Sequence, residues 1–219
     1  MGNVKAGAWA LFLGAASYIA LMVAHPTHAG GPAIGPLSLS AIVHGTAMVA
    51  QPVLLFGFWM LTRAMQDRAL AQLALCFYAL AAATTIIAAT LSGLVIPAII
   101  ETAHSGAGGH GAQLDPEVLR QTLRGQASYT VILNRSFAGV NVGLFALAML
   151  LWSISWPNRA LLALLARGVG AIVGLGVIAW ALSGTMTLEA QHGALMVTLV
   201  QMFWTLLAAA ALAFAPGKT

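Results

Sequence analysis

Apolar residues run through this chain in six long blocks divided by short polar or Gly/Pro-rich breaks, without the strict alternation of a half-buried strand. A helix crossing roughly 30 Å of hydrocarbon needs about 20 apolar residues. The blocks fall at about 6–24, 41–62, 69–100, 129–154, 161–182 and 192–214, and each is about that length or longer. The pattern predicts an all-α polytopic membrane protein: a single transmembrane helical domain over 1–219, with six transmembrane helices paired as three hairpins. Pro97 lies near the end of the third and longest block, where its missing amide hydrogen and bulky ring are expected to kink or end the helix.

The break at 101–128 opens with Ser105-Gly106-Ala107-Gly108-Gly109-His110-Gly111, a flexible run. It then reads Asp115-Pro116-Glu117: a capping residue, a proline at the first helical position and an acid in the first turn. A short surface helix is expected from about 116 to 126, ahead of the span at 129–154.

Composition fixes the class. The chain is 60% hydrophobic and only 6% charged, whereas an average soluble domain is about 25% charged. Its net charge of +4 comes from Lys and Arg scattered thinly between apolar blocks, so no basic stripe exists to bind nucleic acid. Lys5, Arg63, Arg68, Lys218 and the pair Arg159 and Arg167, which surrounds the start of the fifth block, instead fall on one side. The positive-inside rule makes that side cytoplasmic, with both termini there, in an inner or plasma membrane. The other side receives the breaks at about 25–40, 101–128 and 183–191, where Asp115 and Glu117 accompany Arg120 and Arg124. Lys5, the apolar run after it and the small residues near Ala29 also fit a secretory signal peptide, but the segment is read as a first span. Met1-Gly2 lacks the Ser or Thr at position six that myristoylation requires. Cys76 is the single cysteine, so neither an intrachain disulfide nor a Cys-x-x-Cys site is possible.

One motif occurs twice, each time where an apolar block begins: His44-Gly45-Thr46-Ala47-Met48-Val49 and His192-Gly193-Ala194-Leu195-Met196-Val197. On a helix, His and Met four residues apart share a face. An imidazole beside a thioether suits a soft metal or the edge of a haem. Met is also a common gap-filler, and Gly lets helices approach closely in lipid, so packing alone is the competing reading. A weak threefold repeat accompanies the motif: His25 and His28 precede His44, Glu101 and His104 precede Asn134, and Glu189 precedes His192. Asn141 repeats the offset of Gln51 from His44.

All six histidines, with Glu101 and Glu189, lie at the extracytoplasmic ends of the blocks or in the loops between them. Glu101-Thr102-Ala103-His104 and Glu189-Ala190-Gln191-His192 are both Glu-x-x-His, a spacing that puts carboxylate and imidazole on one helix face in dimetal bundles. His25-Pro26-Thr27-His28 has the same spacing, but Pro26 disfavours a helix there. Ionisable groups at a bilayer are costly and tend to satisfy one another or a ligand.

The chemistry expected is therefore a membrane-embedded metal site, with His44, His104 and His192 as nitrogen ligands and His25 or His28 as supplementary ones. Glu101 and Glu189 are carboxylate ligands or a general base, and Arg135 is a cation that binds an anionic group or snorkels to the headgroups. Such a donor set fits copper, iron or zinc, acting by oxidation–reduction or hydrolysis on a lipidic or small apolar substrate drawn from the membrane lipids. The second expectation is a b-type haem protein ligated by His44 and His192, with Met48 and Met196 lining the haem and Arg135 at a propionate. A third is a transporter or an accessory subunit of a larger membrane complex, although the ionisable residues avoid the midplane.

The bland readings are specific too. A boundary His often only satisfies interfacial hydrogen bonds, and His110 in a Gly-rich loop reads as solvated. Gln51, Thr198, Gln201 and Thr205 are interhelical hydrogen-bonding groups, and the Gly170-x3-Gly174 series is a packing surface. The tryptophans, among them Trp9, Trp59, Trp152 and Trp204, read as an interfacial belt. Phosphate-loop, Gly-x-Ser-x-Gly and His-Glu-x-x-His patterns are missing.

Overall fold

A computed structural model describes residues 2–24, 33–34, 37–66, 68–105, 116–157, 160–184 and 193–214. The helices are α1 (Gly2–Val23), α2 (Leu39–Ala64), α3 (Ala69–Thr90), α4 (Ile96–Ser105), α5 (Pro116–Ser155), α6 (Leu161–Leu182) and α7 (Gly193–Ala213). A five-residue π-turn, Leu91–Val95, joins α3 to α4 without a break. A two-residue antiparallel ladder, β1 (Ala33–Ile34) on β2 (Leu37–Ser38), precedes α2. Among the described residues six helical stretches are long and apolar enough to cross a membrane, with α3, the π-turn and α4 counting as one. Their length and composition suggest a membrane protein.

The six pack as a ring in chain order. α1 lies on α2, α2 on α3, α3 on α5, α5 on α6, α6 on α7, and α7 closes the ring against α1. Small residues set the close approaches: a Cβ on Gly57 would come within 2.9 Å of the Leu11 backbone nitrogen, and one on Gly174 within 2.8 Å of the Ala146 carbonyl. The second of these bears out the packing role expected for the Gly170-x3-Gly174 series, since Gly170 likewise abuts Ser153 and Trp204.

An aromatic cluster fills the half of the ring nearer Arg63. Phe58 stacks on Trp152 at 4.6 Å and on Trp204 at 6.0 Å, and meets Tyr78 at 4.3 Å. Trp152 and Trp204 are fully buried, so they leave the interfacial belt expected of them. A tryptophan can sit in the core when its indole N–H has an acceptor. Here Trp152 Nε1 donates to Thr62 Oγ1 at 3.0 Å and Trp204 Nε1 to the Ala166 carbonyl at 2.8 Å. Trp9 and Trp59 are exposed, as a belt requires.

One expectation about breaks is corrected and another is narrowed. The helix beginning at Pro116 is not a short surface element: it runs unbroken for 40 residues, about 60 Å, into the span. Gly125 costs a helix only about 1 kcal/mol, which packing can offset. The stripe of half-buried Leu119, buried Leu123 and half-buried Ala127 carries inward-facing positions across the expected gap while α4 packs along α5. Of the two outcomes expected at Pro97, a kink or an end, the end does not occur: the helix continues through it after a π-turn. The Ile96 amide reaches back five residues to the Leu91 carbonyl, and this wider turn accommodates a proline that cannot donate and would crowd the carbonyl of Gly93.

Candidate functional site at the His44 end

Ser38 caps α2, its hydroxyl accepting from the Ala41 amide at 3.1 Å, and so fixes where the first turn begins. That turn presents buried Ser40, whose hydroxyl donates to the Ser92 carbonyl in the π-turn at 3.4 Å. One turn further, His44 Nδ1 lies 2.7 Å from the Ser40 carbonyl oxygen. A carbonyl only accepts, so Nδ1 carries the proton and the imidazole lone pair resides on Nε2. The ring is held from the other side by Gly93, where a Cβ would lie 2.5 Å from His44 Cβ. Only glycine fits there. π-turns inside helices occur frequently at functional sites, and this one brings the Ser92 carbonyl and the Gly93 backbone up to α2.

Deeper in the ring the polar groups continue as layers. Thr90 Oγ1 donates to Met48 Sδ at 3.4 Å, so the Met of the first motif copy lies on the α2–α3 interface with its His. Below it Gln51 bridges two tyrosines: its amide donates to the Tyr18 hydroxyl, and Tyr78 donates to its Oε1 at 3.2 Å. Tyr18 also meets Thr85, and Asn141 donates to Thr85 and to the Ala81 carbonyl, the latter at 2.9 Å. Tyr78, Gln51, Tyr18, Thr85 and Asn141 thus form one side-chain chain through α3, α2, α1 and α5. The offset shared by Gln51 and Asn141 pointed at two members; the tyrosines carried no signal beyond their polarity within apolar blocks.

The remaining candidates are dispersed. Met196 is 63% exposed and lines a groove of about 260 Å³ with Val173, Gly176, Val177, Val197 and Val200, between α6 and α7. The methionines of the two motif copies therefore occupy different interfaces, and α2 and α7 scarcely touch. Glu101 is exposed on α4, about 12 Å of helix rise beyond the Gly93 that contacts His44. Arg135 is exposed on α5 and Asn134 half-buried. His25, His28, His110, Glu189, His192 and the side chain of His104 lie outside the described residues. Among the described residues no three His, Cys, Asp or Glu side chains are grouped to hold a metal ion. Of the interhelical groups expected on α7, Gln201 donates to the Val142 carbonyl of α5 at 3.0 Å, whereas Thr205 bonds the backbone of its own helix.

What the described residues assemble is one imidazole of fixed tautomer on an interhelical π-turn, with a thioether and hydroxyls one turn below. Comparison with protein-family models, with curated proteins and with solved structures gives no match.

Proposed function

We propose that this chain is an integral membrane protein of three helical hairpins that binds a transition metal, copper, iron or zinc, through His44. The metal serves redox or hydrolytic chemistry on a lipidic or small apolar substrate that enters from the bilayer. One observation carries the reading: the bond from His44 Nδ1 to the Ser40 carbonyl, in a seat that only Gly93 permits. Metal-ligating histidines almost always donate their second ring N–H to a carbonyl or carboxylate, which orients the ring and raises its basicity. The supporting sequence feature is the gathering of His25, His28, His104, Glu189 and His192 at the same ends of the apolar blocks, as further ligands. Glu101 and Arg135 sit nearer the surface, suited to receiving a substrate's polar end. The Lys and Arg bias supports termini in the cytoplasm and His44 on the outer side of an inner or plasma membrane.

Metal analysis of detergent-purified protein tests this. The expected result is about one equivalent of copper, iron or zinc, lost in His44→Ala while helicity and thermal stability persist. Less than about a tenth of an equivalent after reconstitution with all three metals overturns the reading. An intense Soret band near about 410 nm replaces it with haem ligation.

A further inference from the structure

Two guanidinium groups reach the end of α5 from the helices on either side of it. Arg68, the N-cap residue of α3, donates from a terminal nitrogen to the Ser155 carbonyl at 3.2 Å. Arg167, in the second turn of α6, donates from Nε to the Ser153 carbonyl, also at 3.2 Å. These acceptors stand two residues apart on one helix, about 3 Å along its axis, so both cations lie in one layer. Each fills a carbonyl that the last turn of α5 leaves without an amide partner. Capping uses one N–H of the five on each side chain.

It leaves the charge unanswered. Among the described residues neither guanidinium has a carboxylate within ion-pair distance; the ion pair found there joins Arg120 to Glu117, near the opposite end of α5. The first turns of α3 and α6 hold no acid. In the sequence, Asp67 is the one acid on the side that carries Lys5, Arg63, Arg68, Arg159, Arg167 and Lys218. Arg63 differs from the pair, since its guanidinium lies over the Trp59 ring, 5.5 Å from the centroid.

In a chain that spans a membrane, α3 and α6 start and α5 ends at the hydrocarbon boundary; the argument from here rests on that part of the proposed function and not on its metal. The anion abundant at that depth is a lipid phosphate. We infer that Arg68 and Arg167 bind the headgroup of an anionic phospholipid at this end of α5. Planar guanidinium forks match phosphate oxygens bidentately. A zwitterionic headgroup would bring its own ammonium beside two uncompensated cations, and an anionic one does not. Arg167 is half-buried and branches about 9 Å into α6, with a stem that leans toward the start of that helix and so returns its charge to the boundary. Exposed Leu73 and Ile172, each about 7 Å deeper along its helix, offer apolar surface to the acyl chains.

The test titrates the detergent-solubilised full chain with fluorescently tagged phosphatidylglycerol and phosphatidylcholine, read by anisotropy. Phosphatidylglycerol is expected to bind at least about tenfold more tightly, in keeping with two basic side chains at a lipid surface. Arg68→Gln combined with Arg167→Gln should erase that preference, whereas Arg124→Gln, near the other end of α5, should keep it. If the double variant fails to fold, Arg68→Gln alone, at an exposed position, is expected to weaken the preference about fivefold. Equal affinity for the two lipids, a preference that survives the changes at Arg68 and Arg167, or one lost equally in Arg124→Gln overturns the inference. Displacement of phosphatidylglycerol by an equal concentration of inorganic phosphate also overturns it, because a free anion is then the ligand. Alkaline carbonate washing of native membranes checks the premise separately: chain released by the wash refutes the spanning reading, whereas chain retained without a lipid preference refutes only this site.

Discussion

The two halves of the ring are built on opposite terms. In the half nearer Arg63, Phe58, Trp152 and Trp204 stack face to face, their N–H groups are satisfied, and Gly57 and Gly170 sit where no side chain would fit. Arg68 and Arg167 donate to the Ser155 and Ser153 carbonyls and so close the end of α5. The half nearer His44 has a π-turn in place of regular helix, a bridging Gln, and hydroxyls that must each find a partner. The first half holds the ring together by area and shape. The second gives up part of that stability to fixed polar groups, and holds an imidazole whose orientation is dictated by backbone.

That contrast can be broken most sharply at its apolar end. Phe58→Ala should cost about 3–5 kcal/mol, read by thermal or denaturant unfolding in detergent, because it opens a cavity among three stacked rings that cannot collapse. A loss under about 1 kcal/mol would mean that the cluster does not carry the fold. Gln51→Leu should cost about 1–3 kcal/mol, since it removes the acceptor of the buried Tyr78 hydroxyl and one of the two partners of Tyr18. Adding Tyr18→Phe and Tyr78→Phe should recover much of that loss, because no polar group is then left unpaired; an additive loss instead would refute the network.

Gly93→Ala sharpens the comparison from the polar side. Its new methyl group must displace His44, so under the proposed metal reading affinity should fall about 10–100-fold, the usual effect of disturbing an outer-shell support. Unfolding should change much less than for Phe58→Ala, and unchanged metal binding would detach the π-turn from the site. The smallest effect is expected at Gln201. Its Oε1 is buried with no hydrogen-bond partner while its amide donates to Val142. Gln201→Leu loses one bond and removes one orphan, so stability should stay within about 1 kcal/mol of the parent.

Much of the plan was legible in the residues. Six apolar blocks became six helices long enough to span, and Asp115-Pro116-Glu117 did mark a helix start, at Pro116. Ends were harder to read. Nothing local distinguishes a helix that stops near residue 126 from one that continues, because Gly125 is tolerated when α4 supplies a surface to pack on. Pro97 read as a breaker because its effect on an α-helix is known locally; its accommodation by a π-turn depends on α2 lying alongside. The repeated motif drew attention to His44, which proves to be hydrogen-bonded to Ser40 and packed on Gly93, and the seven-residue offset to Gln51 and Asn141, which bridge helices. The likeness of the two copies did not predict that Met48 would be half-buried against Thr90 while Met196 faces outward.

By itself the sequence determined the helical class and the number of described helices long and apolar enough to cross a membrane, because hydropathy acts residue by residue along a chain. Tertiary structure alone decided which tryptophans became core, which carbonyl orients His44 and which glycine makes room for it. Those depend on what another helix presents a few ångströms away, and a contact between Ser40 and Ser92 leaves no periodicity for either residue to announce.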